Sequence, residues 1–154
     1  MSNEIKNELL NGCKEYERLG ASLQNGEGAL SVFGLGEAHR VHMAAALFRS
    51  LGKTMLFVAP SSLSAAKTHE ELSFYVPDAK LFPPRELPVA VQHFTESPAV
   101  KAQRLDVITR LISCEPTLVV TCVEALMQRM APAELIVNAM HSVRIGDRRS
   151  EERL

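Results

Sequence analysis

Short apolar runs alternate with amphipathic stretches along this 154-residue chain. The runs have the length and composition of buried parallel strands, and the stretches between them repeat their apolar positions at helical spacing. The predicted strands are 29–33, 54–59, 79–82, 117–122 and 141–145, and the predicted helices are 3–19, 37–51, 61–75, 97–112, 123–129 and 132–140. This alternation predicts an α/β fold, with a three-layer parallel sheet flanked by helices and joined by right-handed crossovers.

The spacing of apolar residues also predicts where helices end and which faces meet the sheet. The first helix is expected to end at Gly20, and the second at Gly52. In the helix that begins at Pro98, Arg104 and Arg110 fall outside the apolar stripe. That stripe comprises Val100, Leu105, Ile108, Leu111 and Ile112. The run 54–59 is apolar throughout, which predicts a strand buried on both faces.

Helical periodicity is lost between Pro83 and Pro98, where several prolines exclude a long helix. The segment nevertheless carries Leu87, Val89, Val91 and Phe94, so it is too apolar for a solvated linker. We expect an ordered loop packed on the domain. Long loops of this kind are often functional, although a loop that simply bridges two elements fits the pattern equally well.

The stretch from 29 to 51 is predicted to be a strand, a tight glycine loop and a helix N-terminus, the arrangement that cradles phosphate in nucleotide-binding proteins. A working loop reads G-x-x-x-x-G-K-[ST]. Here Gly34 fills the first place, but His39 replaces the second glycine, Arg40 the lysine and Val41 the hydroxyl residue. The wide, planar guanidinium of Arg40 replaces a compact ammonium, and Val41 has no hydroxyl to bind Mg²⁺.

Glu37, just after Gly36, adds a carboxylate at the helix N-terminus, where the helix dipole would otherwise attract an anion. It occupies the place of a phosphate, so this segment is interpreted as a degenerate phosphate loop that binds no cofactor. The alternative is that Gly34 and Gly36 form only a turn, because short motifs often match by chance.

Composition narrows the function further. With 17 basic and 18 acidic side chains, no global charge indicates nucleic acid or an anionic membrane as a partner. The thiols of Cys13, Cys114 and Cys122 lack metal or redox spacing and suit a reducing compartment, which predicts a cytoplasmic protein. No apolar run is long enough for a membrane span. His39 and His42 lack a third ligand, so no metal site is expected.

Two further features bear on chemistry and on extent. Ser61 and Ser62 have no acid partner at the spacing of a hydrolase triad with His69, so a hydrolase triad is rejected. At the C-terminus, Ser150 precedes two acids in the pattern of a helix that is just starting, so the chain is expected to be a fragment of a longer protein. We therefore divide it into an N-terminal helix and turn (1–28), an α/β domain (29–140) and the start of a following domain (141–154).

Two motifs in the second half of the chain are specific enough to compare with a known family. The members of the first are Phe82, Pro83, Glu86, Leu87, Pro88, Ser97, Pro98, Arg104 and Leu105. The second is VEALMQR at 123–129, which contributes Glu124, Leu126, Gln128 and Arg129 and is followed by Pro132. Together they resemble the N-terminal region of the bacterial transcription-repair coupling factor (Mfd) family, whose signature F-P-x-x-E-x-L-P…S-P…R-L is similar to the first motif except that one residue fewer lies between Glu86 and Leu87.

The resemblance implies a module shaped like domain 1a of the excision-repair protein UvrB, a P-loop-NTPase-like fold with an inactive Walker A loop. In this family the intact bacterial protein displaces RNA polymerase stalled at DNA damage and recruits UvrA through the UvrB-like module. Its motor uses ATP and Mg²⁺ and binds DNA, but none of that motor is in this chain. The UvrA-contacting surface would begin near Val143 and lie mostly beyond Leu154.

Two other functions remain open at this stage. One is a small stand-alone P-loop-type enzyme that uses Gly34, Gly36 and Arg40 on a nucleotide phosphate; its only candidate for a Walker-B acid is Glu124. The other is a UvrB-like subunit that handles DNA damage. Such proteins insert an aromatic-rich hairpin into DNA, whereas Phe94 is the only aromatic residue in 83–97.

Overall fold

Three parallel strands in the order β1-β3-β2 form the sheet of the computed structural model, which describes residues 13–26, 28–85 and 97–139. The strands are β1 (Met55–Ala59), β2 (Lys80–Phe82) and β3 (Leu118–Cys122). The helices are α1 (Lys14–Gln24), α2 (Glu37–Leu51), α3 (Ser62–Tyr75), α4 (Pro98–Ile112), α5 (Val123–Met127) and α6 (Ala133–Ala139). The predicted α/β class, with a parallel sheet flanked by helices, is confirmed.

Strand β3 lies at the centre of the sheet, and all five of its residues are buried. It pairs with β1 from Leu118 to Cys122 and with β2 at its middle three residues. Its β-branched and apolar side chains suit a position covered on both faces. The one hydroxyl among them is satisfied, because Thr121 Oγ1 donates to the carbonyl oxygen of Phe82 at 2.9 Å.

The helices lie on both faces of the sheet. Helix α3 connects β1 to β2 across β3, whereas α4 returns from β2 to β3 in the opposite direction. Right-handed crossovers in opposite directions place their helices on opposite faces. Accordingly, α4 lies over Phe82, which shares a face with Thr121 and Val58 in the strand register. Helix α2 packs beside α3 and contributes Val41, Ala44 and Ala45 to the core.

Several local predictions are confirmed. Gly52 ends α2 in the left-handed conformation with φ 60°, as its position after the apolar stripe predicted. Ser61 caps α3, since its side-chain oxygen accepts a hydrogen bond from Ser64 N at 3.2 Å. The strands predicted at 54–59, 79–82 and 117–122 and the helices that begin near Pro98, Val123 and Pro132 all form within a few residues of their expected bounds.

The strand predicted at 29–33 does not form. This segment has no regular secondary structure, and its apolar side chains are exposed, with Phe33 at 88%. Local propensity favours an extended backbone, but a strand also requires a neighbouring edge, and in the described part of the chain no strand pairs with this segment. The phosphate-loop interpretation assumed that the glycine loop follows a strand of the sheet. In the structure the loop does not follow a strand.

Two details of β1 and α1 also differ from prediction. Strand β1 is not buried on both faces, because α4 packs on β2 and leaves Leu56 and Val58 of the edge strand 52% and 45% exposed. Helix α1 does not end at Gly20 and continues to Gln24. A glycine inside a helix costs only about 1 kcal/mol relative to alanine, so the following residues can extend the helix.

The buried face of α4 differs from the predicted stripe. Arg104 and Val107 are its buried residues, whereas Leu105 is 52% exposed and Leu111 is 43% exposed. An arginine counts as polar in a periodicity analysis, yet its aliphatic stem packs as an apolar group when the guanidinium has partners. The helix is therefore rotated toward Arg104 relative to the face that its apolar residues define.

Four predictions lie outside the described residues: the first part of helix 3–19, most of the loop between Pro83 and Pro98, the strand at 141–145 and the helix start near Ser150. Within the described ranges, no helix combines the length and apolar character that crossing a bilayer requires.

Leu72 of α3 is fully buried in the core, so we expect Leu72→Ala to lower the free energy of unfolding by about 2–5 kcal/mol through lost burial and a residual cavity. Urea unfolding measures the change. Leu63→Ala is the matched control on the same helix, because Leu63 is 81% exposed and its truncation should cost less than about 0.5 kcal/mol. Equal effects of the two changes would contradict the described core.

Candidate functional site

The glycine turn before α2 is present. Gly34 has φ 81°, a conformation that L side chains rarely adopt, and Gly36 is the N-cap residue of the helix. A Cβ at Gly36 would lie 3.3 Å from Nδ1 of His39, so the side chain at the second glycine position of a phosphate loop crowds the turn. The His39 side chain therefore lies close to the turn at Gly36, whereas the space beside Gly34 is open.

A groove of about 310 Å³ lies beside this helix N-terminus. It lies between the first turns of α2, the last residues of β1 and the N-terminal half of α3. Glu37, Arg40, Val41, Phe57, Val58, Ala59, Pro60, Ser64, Lys67, Thr68 and Glu71 line it. Because a strand end and two helix N-termini meet here, this is the part of an α/β protein in which ligands commonly bind.

Two acids and two bases share the groove. Lys67 Nζ lies 3.1 Å from Glu37 Oε2 and 3.9 Å from Glu71 Oε1. The hydrogen bond and the charge of Lys67 lower the pKa of Glu37, and the same contact raises the pKa of Lys67. Arg40 lines the groove from α2. The carboxylate predicted to occupy the phosphate position is thus held in an ion pair at the helix N-terminus.

The residues present do not fit a nucleotide phosphate with its magnesium ion. Val41, at the position of the metal-binding hydroxyl, is buried in the core with 4% exposure. The negative charge of Glu37 would repel an anion at the N-terminus of α2, the helix that follows the glycine turn. Among the side chains that the structure describes, no group of three or more His, Cys, Asp or Glu could hold a metal ion.

A second set of polar contacts lies where the chain leaves β2, and it joins residues of both sequence motifs. Arg104 is 4% exposed, and its guanidinium carbon lies 4.0 Å from the centre of the Phe82 ring. Its Nη1 donates a hydrogen bond to the Pro83 carbonyl oxygen at 2.5 Å. A cation over an aromatic face and a charged hydrogen bond are both strengthened by burial.

Gln128 binds the backbone of Arg85, two residues further along the same segment. Its Nε2 donates to the Arg85 carbonyl oxygen at 3.1 Å, and its Oε1 accepts from the Arg85 backbone N–H at 2.7 Å. The amide thereby satisfies both backbone groups of one residue, as a neighbouring strand would. We call Phe82, Pro83, Arg104 and Gln128 the signature cluster. Its contacts connect α4 and the end of α5 to the segment that follows β2.

The other motif residues are more dispersed. Ser97 is the N-cap residue of α4 and Pro98 its first residue, a position that suits proline because no donor is needed there. Glu124, Leu126 and Arg129 are exposed on α5 or just beyond it. Glu86, Leu87 and Pro88 lie outside the described residues. The structure therefore brings Phe82, Pro83 and Arg104 into contact, places Gln128 against the nearby backbone of Arg85, and leaves the exposed motif positions apart.

Two residues important to these contacts were not predicted. Lys67 pairs with Glu37 across helices, which no local pattern indicates. Thr121 links β3 to the end of β2, and the available signal was a hydroxyl within an apolar strand, which requires a partner once buried. Of the histidines considered for a metal, His42 has its ring 5.2 Å from that of Tyr75, and His39 lies near Gly36.

These contacts describe an α/β protein in which the chain's own side chains lie at the N-terminus of α2 and beside the segment that follows β2. No protein-family model matches the chain, and no solved structure matches it. Over 115 residues it is 29% identical to the transcription-repair-coupling factor of Bacillus subtilis (strain 168). That match covers 73% of this chain and 10% of the Bacillus protein, so the chain corresponds to a small part of that relative.

Arg104→Ala should lower the free energy of unfolding by about 2–4 kcal/mol, because it removes a charged hydrogen bond and a cation–π contact at a buried site. Denaturant unfolding tests this. Arg40→Ala is the control, since Arg40 is an exposed arginine on a helix and its removal should change stability by less than about 0.5 kcal/mol. Similar losses in both variants would contradict a structural role for Arg104.

Lys67→Met should raise the pKa of Glu37 back toward its ordinary value, because Lys67 is the main cause that lowers it. An NMR titration of the Glu37 carboxyl measures the shift, and Arg40→Met should move the pKa less. A carboxyl group whose pKa is lower in the folded than in the unfolded state stabilises the fold at pH values above its unfolded-state pKa. This stabilisation is lost as the pH falls through the folded-state pKa. The stability difference between wild type and Lys67→Met should therefore shrink in acid; a constant difference would contradict the ion pair.

Proposed function

We propose that this chain is a non-catalytic interaction and scaffold module of a transcription-coupled DNA repair ATPase. The observation that carries the proposal is the similarity to the Bacillus transcription-repair-coupling factor over 115 residues. The two sequence motifs support it, because Arg104 contacts Phe82 and Pro83, and Gln128 binds the backbone of Arg85 in the same segment, although these residues lie in three separate parts of the chain.

In this proposal the module has the fold of UvrB domain 1a and takes part in recruiting UvrA. ATP hydrolysis, DNA translocation and displacement of stalled RNA polymerase belong to a motor elsewhere in the protein, which uses ATP and Mg²⁺. This chain supplies a stable α/β platform. Its contribution to UvrA binding is small by itself, because the surface attributed to that contact lies mostly in the domain that begins near Val143.

The geometry at the α2 N-terminus supports a non-catalytic role. The carboxylate of Glu37 at the α2 N-terminus is paired with Lys67, and the side chain of Val41 has no oxygen for a metal. A stand-alone nucleotide-dependent enzyme would need an acid at the end of a strand to hold Mg²⁺. Glu124 is instead an exposed residue in the first turn of α5, so it is poorly suited to that task.

Calorimetric titration with ATP in the presence of Mg²⁺ tests whether the chain binds a nucleotide, as a nucleotide-dependent enzyme would. We expect no binding at micromolar ATP. The Arg40→Ala variant should behave as wild type, because this arginine would not contact a phosphate. Micromolar affinity that depends on Mg²⁺ and is lost in Arg40→Ala would overturn the proposal in favour of a nucleotide-dependent enzyme.

The scaffold assignment has its own test. An antibody against this chain should detect, in extracts of its own cells, a protein many times larger than 17.0 kDa. A native protein of 17.0 kDa would contradict the assignment to a larger ATPase, whatever the outcome of the nucleotide titration.

A further inference from the structure

A second groove of about 310 Å³ lies between α4 and residues 130–136. Four residues of α4 line it: Lys101, Arg104, Leu105 and Ile108. Their spacing of i, i+3, i+4 and i+7 places them in one row along a single face of the helix. The row begins with two cations and ends with two apolar residues, so the groove changes from charged to apolar along the helix axis.

The other lining residues extend both properties. Met130, Ala131 and Ile136 add apolar surface, and Arg85, at the end of the described segment that follows β2, adds a third cation. Leu105 and Met130 are each 52% exposed. Apolar surface therefore remains accessible both on α4 and on the chain segment opposite it.

The charge of this groove is of one sign. All three charged side chains that the structure describes in its lining are cations, although the chain as a whole carries a net charge of -1. In the groove beside β1, by contrast, two acids accompany the two bases. Lys101 also lies in the first turn of α4, where no acid is present and the helix dipole favours a negative ligand. The local charge therefore favours an anion.

We propose that this groove binds a segment of a partner protein in which apolar side chains are followed by carboxylates. The apolar side chains contact Leu105 and Met130, and the carboxylates pair with Arg85 and Lys101. The groove volume is at the lower end of the range of about 300–1,000 Å³ that ligand sites have, so it suits a few side chains rather than a whole helix. This site goes beyond the scaffold role, because it requires only residues of this chain.

A peptide fits the groove better than a nucleic acid does. Proteins that bind single strands stack the bases on aromatic side chains, and none of the described lining residues is aromatic. The large apolar residues on both sides, Leu105, Ile108, Met130 and Ile136, instead offer surface that apolar side chains of a partner can bury. Burial of this surface supplies affinity, and the cations fix the orientation of the bound segment.

Fluorescence anisotropy with a labelled synthetic peptide, in which two leucines precede two aspartates, tests the site. We expect saturable binding that weakens as salt is added, because exposed charge pairs are screened. A peptide with asparagine in place of aspartate and one with serine in place of leucine should each bind at least about tenfold more weakly, since each loses one of the two kinds of contact.

Arg85→Glu and Lys101→Glu should each weaken binding at least about tenfold, because reversed charges repel the carboxylates. Lys53→Glu is the matched control: it changes the net charge equally, and Lys53 is an exposed residue that precedes β1, at the other end of the strands. Leu105→Ser should also weaken binding, whereas Leu111→Ser should not, since Leu111 is exposed on the same helix but does not line the groove. Circular dichroism checks that every variant folds.

Four results would overturn the proposal. The first is a wild-type chain that does not bind the peptide; if Glu86→Gln or Glu96→Gln then allowed binding, the groove would be assigned to carboxylates of this chain. The second is binding that Arg85→Glu and Lys101→Glu leave unchanged. The third is tighter binding of a single-stranded oligonucleotide that these variants abolish. The fourth is a dimer, seen by sedimentation, that the same variants dissociate, which would make the occupant a second copy.

Discussion

The pairing of β3 with strands on both sides is the constraint on which the rest of this fold depends. A strand covered on both faces and both edges cannot leave a backbone or side-chain polar group without a partner, because no water reaches it. The two parallel neighbours satisfy the backbone, and the Phe82 carbonyl satisfies the Thr121 hydroxyl. Parallel pairing in turn requires crossover helices, which places α3 and α4 on opposite faces.

The carboxyl ends of the strands are where an α/β protein normally binds its ligand, and here the chain's own side chains occupy that region. The Glu37–Lys67 ion pair lies beside the end of β1, and the signature cluster lies at the end of β2. Both sets of contacts join elements that are distant in the sequence. Polar groups at these two places contact other groups of the same chain: the Glu37–Lys67 pair is exposed to solvent, whereas Arg104 is buried.

Much of the candidate site was predictable from the sequence because its signals are local. The loss of lysine and hydroxyl around Arg40 and Val41, and the carboxylate of Glu37 at a helix start, follow from residue types at adjacent positions. The ion pair of Glu37 with Lys67 was not predictable, because two helices must first pack side by side. The burial of Arg104 was missed for a related reason: its environment consists of Phe82 and Pro83, 22 and 21 positions earlier in the numbering.

The sequence by itself determined the α/β class, the elements from Glu37 onward within the described residues, and the glycine that ends α2, since periodicity, capping and backbone freedom act over a few residues. Only the tertiary structure decided that 29–33 stays outside the sheet, that Leu56 and Val58 on one face of β1 remain about half exposed, and that Arg104 is buried. Pairing and burial depend on what lies opposite in space. A local pattern states a residue's preference, whereas the packing of distant segments determines whether that preference is met.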